Sequence, residues 1–254
     1  MFDADAGGCV AWGNGRPRLA TGAERKPVLI VLHQRHSNAG HIGHWFITRG
    51  YALDVRRPRF GDPLPETLEH HSGAVIFGGP MSANDSDDYV KIETEWIGVA
   101  LRQKKPFLGV CLGAQMMANY LGARVYEHPE KHVEIGYHLI RPTVCAGRFG
   151  SWPEWVYQWH RECFELPHGA TLLAAGDGPF ANQAYAYGTT AVGVQFHPEI
   201  TYAMVSRWSA YNAHRLTLRG AQDRPSQLAD HIVHGPVVRR WLDGFLSRWI
   251  ASAA

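Results

Sequence analysis

Cys111 lies in the stretch GVCLGAQ, residues 109–115, straight after the apolar residues Phe107 and Leu108 and with Gly109 and Gly113 on either side. A cysteine that only fills core volume has no need of flanking glycines. A cysteine on a sharp strand-to-helix bend does, because the missing Cβ atoms let the bend close. The start of the helix would then favour thiolate over thiol and leave free N–H groups for a developing oxyanion. The competing reading is a buried cysteine that packs like a small apolar residue.

A thiol nucleophile needs a base, and the base needs a group to orient it. VGVQFHPE, residues 192–199, offers both. His197 ends an apolar strand, Pro198 stops that strand, and Glu199 can accept a hydrogen bond from the imidazole and fix its tautomer. A further segment, VIFGGPMS at 75–82, puts two glycines after a buried strand, where backbone can approach a ligand closely. The N–H groups of Gly79 and Leu112 are the expected oxyanion hole.

These groups are useful only if strand ends bring them together. PVLIVLH, YALDV, GAVIFGG and PFLGV read as strands. Between them, GHIGHWFITRG reads as a helix closed by Gly50, and DYVKIETEWIGVALRQKK as an amphipathic helix with Val90, Trp96, Ile97 and Leu101 on one face. CLGAQMMANYLG reads as a helix capped by Gly122. RRPRFGDPLP reads as a loop. Strand and helix thus alternate four times, which predicts an α/β fold with a parallel sheet covered on both faces. Beyond residue 123, HLIRPTV, WVYQWH, TLLAAG, NQAYAYG and TAVGVQF are short strand candidates at close spacing, some of them antiparallel. From Tyr202 the chain reads as helix: YAMVSRWSAYNAHRL, then SQLADHIVHGPVVRRWLDGFLSRWIA with a break at Gly235-Pro236. Residues 1–26 read as a flexible N-terminal arm without periodicity. Residues 27–254 form one domain, with a helical extension over about 202–254.

Composition narrows the function class. The 254 residues are 45% hydrophobic and 19% charged, with a formal net charge of +2. That balance, without a basic stripe, argues against nucleic acid. Nine tryptophans, among them Trp152, Trp155 and Trp159, are read as core and subunit-contact residues rather than base-stacking platforms. The four cysteines (Cys9, Cys111, Cys145 and Cys163) form no C-x-x-C pair, which suits a reducing, cytoplasmic setting. No run is long enough to span a membrane. His41 with His44 and His70 with His71 lack an acidic or thiol ligand at convincing spacing, so no metal is expected. No cofactor is expected either.

Together FGGPMS, GVCLGAQ and GVQFHPE resemble the class I glutamine amidotransferase family over about residues 28–205. WHRECFELPHGATLLA, residues 159–174, is similar to the family's segment between elbow and histidine. The nearest resemblance is to stand-alone relatives of the GMP synthase glutaminase domain. This resemblance implies a flavodoxin-like three-layer sandwich. It also implies hydrolysis of the glutamine side-chain amide through a γ-glutamyl thioester on Cys111, with His197 as base and Glu199 as orienter. By the same resemblance Gln115 lines the glutamine pocket, and backbone at Arg161 and Glu162 holds its α-amino acid end. Arg161 and Glu162 stand where the family often has a small residue and an acid, a departure that bears on selectivity. No ATP-binding synthetase module is read after the histidine motif, so ammonia is expected to reach a separate synthetase partner or to be released. A homo-oligomer is compatible with this reading.

Three alternatives share these residues. An α/β-hydrolase order of nucleophile, acid and histidine would use Cys111, Asp177 and His197. A γ-glutamyl peptidase or hydrolase would keep the triad and expel a larger amine. A non-catalytic relative would bind a partner, though it retains cysteine, histidine and glutamate.

Overall fold

The computed structural model describes residues 25–253. Most of the arm expected at 1–26 lies outside the described residues, as does Cys9. The element order is β1 (Val28–Val31), α1 (Gly40–Thr48), β2 (Leu53–Arg56), β3 (Gly73–Ile76), α2 (Asp88–Arg102), β4 (Phe107–Val110), α3 (Leu112–Tyr120), β5 (Val125–Glu127), β6 (Glu134–Pro142), β7 (Trp155–His160), β8 (Glu162–Phe164), β9 (Ala170–Gly176), β10 (Asn182–Tyr187), β11 (Ala191–Val194), α4 (Tyr202–Tyr211) and α5 (Arg224–Ile250).

Nine strands form one sheet in the order β2-β1-β3-β4-β11-β10-β9-β6-β7. The first five are parallel, and they give the flavodoxin-like arrangement. The last four add on antiparallel. β5 and β8 pair in a separate two-stranded ribbon. Neither three-residue strand was expected from sequence, because so short a segment shows no alternation.

Side chains of β1 alternate between two cores, as the two-residue period of a strand requires. Val28 and Ile30 join Ile42, Trp45 and Phe46 of α1 and the apolar stripe of α5. Leu29 and Val31 join Val90, Trp96 and Ile97 of α2 and the buried face of α3. The α5 stripe is Val238, Trp241, Leu242, Phe245, Leu246 and Trp249, at helical spacing. The Trp249 indole N–H donates to the Phe107 carbonyl at 3.2 Å. The C-terminal helix is therefore half of one layer of the sandwich.

The expected break at Gly235-Pro236 is absent, and α5 runs through Pro236 without interruption. Pro236 lies on the exposed side beside Ile232 and Val237. There the carbonyl four residues back, which loses its amide donor, can be satisfied by water. α4 ends at Tyr211 rather than running to Leu216, and residues 213–217 tighten into a 3-10 turn that folds back over the sheet edge.

Candidate active site

Parallel strands β1, β3, β4 and β11 end side by side. The residues just beyond them are His33, Gly78 and Gly79, Cys111, and Gln195 to Glu199. In an open parallel sheet this carboxyl edge is where a crevice forms.

Cys111 has φ +50 and ψ −103, between the end of β4 and the first residue of α3. For a non-glycine residue this left-handed conformation costs on the order of 1–3 kcal/mol and persists only when its surroundings enforce it. The enforcement is visible. The Cys111 N–H donates to the Val194 carbonyl at 2.8 Å, and its carbonyl accepts from the Gln115 N–H at 3.0 Å. A Cβ at Gly109 would lie 2.5 Å from the Gly113 carbonyl carbon, and one at Gly113 would collide with the Ile76 carbonyl oxygen. The flanking glycines thus let α3 start in contact with β4 and β3. Among the described residues the N–H groups of Gly79 and Leu112 find no protein acceptor.

His197 emerges from the end of β11 with its N–H donating to the Tyr157 carbonyl at 2.8 Å. Its Nδ1–H donates to Glu199 Oε1 at 2.8 Å, and both side chains are buried. Nε2 is therefore the nitrogen left for the sulfur. Trp208 of α4 packs edge-on against the ring, centroids 5.0 Å apart. Burial by itself pushes the imidazole down. The charges of Glu199 and Cys111, with a hydrogen bond to each, outweigh it and raise His197 to about 10. Glu199 is fixed in turn through its main chain. Its carbonyl accepts from the His41 N–H at 2.8 Å, and a Cβ at Gly40 would strike that oxygen.

Gly78 stands between nucleophile and base. A Cβ there would lie 2.7 Å from His197 Cε1 and 3.4 Å from Cys111 Cβ. Cys111, His197 and Glu199 all line one cavity of about 280 Å³, together with Gly79, Gln115, Glu162 and Arg215.

The family model for class-I glutamine amidotransferase matches residues 33–204. The chain belongs to this family. As a class I glutamine amidotransferase it is an enzyme of glutamine amide hydrolysis. It is 33% identical over 189 residues to the glutamine amidotransferase-like protein YfeJ of Salmonella typhimurium, covering 70% of this chain and 77% of that one. It is 30% identical to the glutamine-hydrolysing GMP synthase of Neisseria meningitidis over 64% of this chain, and spans 31% of that longer protein. The crystal structure of a glutamine amidotransferase from Methylobacillus flagellatus superposes with a TM-score of 0.84 at 30% identity, over 90% of this chain and 95% of that one.

Around the nucleophile of this amidotransferase runs a network that sequence reading left out. Gln195 Nε2 lies 3.7 Å from the Cys111 sulfur as a donor, and Gln195 Oε1 accepts from Gln115 Nε2 at 3.2 Å. Gln115 Nε2 also donates to the Glu162 carbonyl at 2.9 Å. That carbonyl accepts from His160 Nδ1–H as well, at 2.9 Å. Both its lone pairs are taken, so backbone oxygen at 162 is not free for a ligand as expected. The Glu162 carboxyl faces the cavity instead, accepting from the Ser82 hydroxyl at 2.8 Å and pushed up by burial. Arg161 is exposed and reaches toward Glu127 at 3.4 Å.

Arg215 also went unread. The 3-10 turn after α4 brings it, half-buried, onto the cavity wall, where burial and then Arg161 push its guanidinium down and Cys111 draws it up. It has no carboxylate partner among the described residues. No local pattern marks it, because its position depends on how α4 folds back. Gln195 did carry a signal, being two residues before His197 and so on the same side of an extended segment.

Asp177 lies elsewhere. It is exposed, and the Arg141 guanidinium holds it below the usual carboxylate range, with Nε 2.7 Å from Oδ1. The α/β-hydrolase alternative therefore has no acid at this site other than Glu199. Trp159 lines the cavity rather than serving only as core. Trp152 packs on Trp241 at 4.7 Å, and Trp155 stacks on His234. His71 bonds Asp54 at 3.0 Å, and no cluster of three metal-ligating side chains occurs among the described residues. No helix among the described residues is long and apolar enough to cross a membrane.

Proposed function

We propose that this amidotransferase works through a γ-glutamyl thioester on Cys111. The observation that carries the reading is the left-handed cysteine on the strand–helix bend, sharing one cavity with a buried His197–Glu199 pair. The raised imidazole favours a thiolate–imidazolium pair. The thiolate attacks the side-chain carbonyl carbon of glutamine, and the carbonyl electron pair moves onto oxygen. The N–H groups of Gly79 and Leu112 hold that oxyanion. As the C–N bond breaks, His197 Nε2–H protonates the departing nitrogen and ammonia leaves. Water then attacks the thioester, giving its proton to His197, and glutamate departs as the thiolate is restored.

Binding of the amino-acid end falls to the charged groups of the cavity. The Glu162 carboxylate takes the α-ammonium, and the unpaired Arg215 takes the α-carboxylate. Gln115 and Gln195 hold the sulfur in place. Ammonia passes to a separate acceptor, as a partner synthetase subunit would supply. The printed names of the GMP synthase relatives support that partner class.

A second reading keeps this chemistry and enlarges the leaving amine. Gln34, His36, Arg207 and Trp208 extend the cavity wall on the His197 side, where a leaving group would sit. The test is release of glutamate and ammonia from glutamine and from several γ-glutamyl amides, by wild type and Cys111→Ala. Wild type is expected to turn over at least one of these, and the variant none. Turnover retained in Cys111→Ala ends the assignment. Faster cleavage of a γ-glutamyl dipeptide than of glutamine decides for the second reading.

A further inference from the structure

A second buried histidine–glutamate pair lies behind the site. His33, the second residue after β1, and Glu93, in the middle of α2, are both fully buried. His33 Nε2 is 2.7 Å from Glu93 Oε2, and His33 Nδ1 is 3.1 Å from the Gly78 carbonyl oxygen. A carbonyl can only accept, so Nδ1 carries hydrogen. Nε2 faces a carboxyl group, which shares one proton with it whichever atom holds it. The function of Glu93 is then to keep the Nδ1–H tautomer aimed at Gly78.

Gly78 C=O and Gly79 N–H belong to one peptide plane. The peptide is trans, so the two groups point in opposite directions. Holding the carbonyl toward His33 turns the Gly79 N–H away from it. That N–H has no acceptor among the described residues, and Gly79 lines the cavity that holds Cys111. Gly79 also packs close on its support, since a Cβ there would lie 3.0 Å from His33 Cβ. The pair is a poor device for stability. Two ionisable groups are buried on otherwise apolar faces, and Glu93 Oε1 has no partner.

We propose that His33, held by Glu93, is a positioning residue that sets the oxyanion-binding peptide between Gly78 and Gly79. The proposal rests on the thioester reading above. It predicts a defect in the step where negative charge develops on the carbonyl oxygen, and no defect in the nucleophile itself.

The test compares His33→Ala, His33→Asn and Glu93→Gln for kcat and KM on glutamine, or on whichever γ-glutamyl amide wild type turns over best. Alkylation of Cys111 by iodoacetamide is measured in parallel, because that reaction develops no oxyanion. Removing an oxyanion donor outright lowers kcat by about 10²–10³. His33→Ala is expected to lower kcat at least about thirtyfold within that effect, with KM within about threefold and alkylation within about twofold of wild type. Asparagine places an N–H near the position of Nδ1, and His33→Asn is expected to restore kcat to within about fivefold of wild type. Glu93→Gln can still donate to Nε2 and is expected to stay within about threefold.

The proposal is overturned if His33→Ala keeps kcat, or if alkylation falls in step with kcat. It is overturned equally if His33→Asn or Glu93→Gln is as defective as the alanine variant. Should His33→Ala not fold, the asparagine and glutamine variants decide alone, by whether they keep kcat. Failure of the thioester reading looks different: wild type would resist alkylation, or Cys111→Ala would keep turnover.

Discussion

Replacing Glu199 by glutamine separates the two things this carboxylate does for His197. Glutamine can still accept from Nδ1–H, so the ring keeps its orientation and tautomer. It loses the charge that favours imidazolium. In the intact site His197 titrates at about 10 against an ordinary 6.5. At about 1.4 kcal/mol per pH unit, its neighbours favour the protonated ring by about 5 kcal/mol. Glu199 and Cys111 share that work. Assigning about half to the carboxylate leaves the variant's imidazole titrating near 8.

The consequence is a change in the shape of the pH profile. At pH 6.5 both enzymes hold the protonated ring. At pH 9.5 wild type keeps most of it, whereas the variant keeps a few per cent, so their activity ratio should fall about 25-fold between these values. The assay is kcat/KM for glutamate release from pH 5.5 to 10.5, quenched and quantified independently of ammonia. The basic limb should lie near 10 in wild type and near 8 in Glu199→Gln. Parallel profiles, with the variant merely slower at every pH, would refute the electrostatic role and leave Glu199 as an orienter only. The same coupling bears on stability. A folded-state value above the unfolded one stabilises the fold fully below about pH 6.5, and that gain is lost as pH rises through about 10.

Other substitutions test other parts of the design. Gly78→Ala puts a methyl 2.7 Å from His197 Cε1, and displacing the base by even 1 Å should cost about a hundredfold in kcat while far-UV circular dichroism is unchanged. Arg215→Met should raise KM for glutamine about tenfold or more with kcat within about threefold, the loss of one charge-assisted bond; an unchanged KM would remove Arg215 from the substrate's carboxylate. Trp249→Ala should destabilise the fold by about 3–5 kcal/mol in denaturant unfolding, since it opens the core beneath α5 and frees the Phe107 carbonyl. A loss under about 1 kcal/mol would mean that α5 is an appendage after all.

How much of this could be read in advance divides by the range of the interaction responsible. The alternation up to α3 was legible because each strand is a short apolar run bounded by glycine or proline, and each helix carries its own stripe. Cys111 was legible because Gly109 and Gly113 answer a contact within five residues of chain. The continuity of α5 was not. A proline ends a helix by local rules, and only the packing of Val238, Trp241 and Phe245 against the sheet shows why the helix goes on with Pro236 turned to water. Glu162 shows the same limit, since its carbonyl is claimed by Gln115 from α3, 47 residues away.

Arg215 and His33 mark where local reading stops altogether. Each is one of many cations or histidines in the sequence, and neither sits in a motif. What distinguishes them is a partner, or the lack of one, supplied by a distant segment: Glu93 lies 60 residues from His33. The groups that form and break bonds must meet at strand ends, and strand ends leave a pattern in the sequence. The groups that aim them act from behind, through peptide carbonyls and buried pairs, and any residue that the fold carries to that spot can take the part. Chemistry at this site is therefore written locally, while its precision is written in the topology of the sheet.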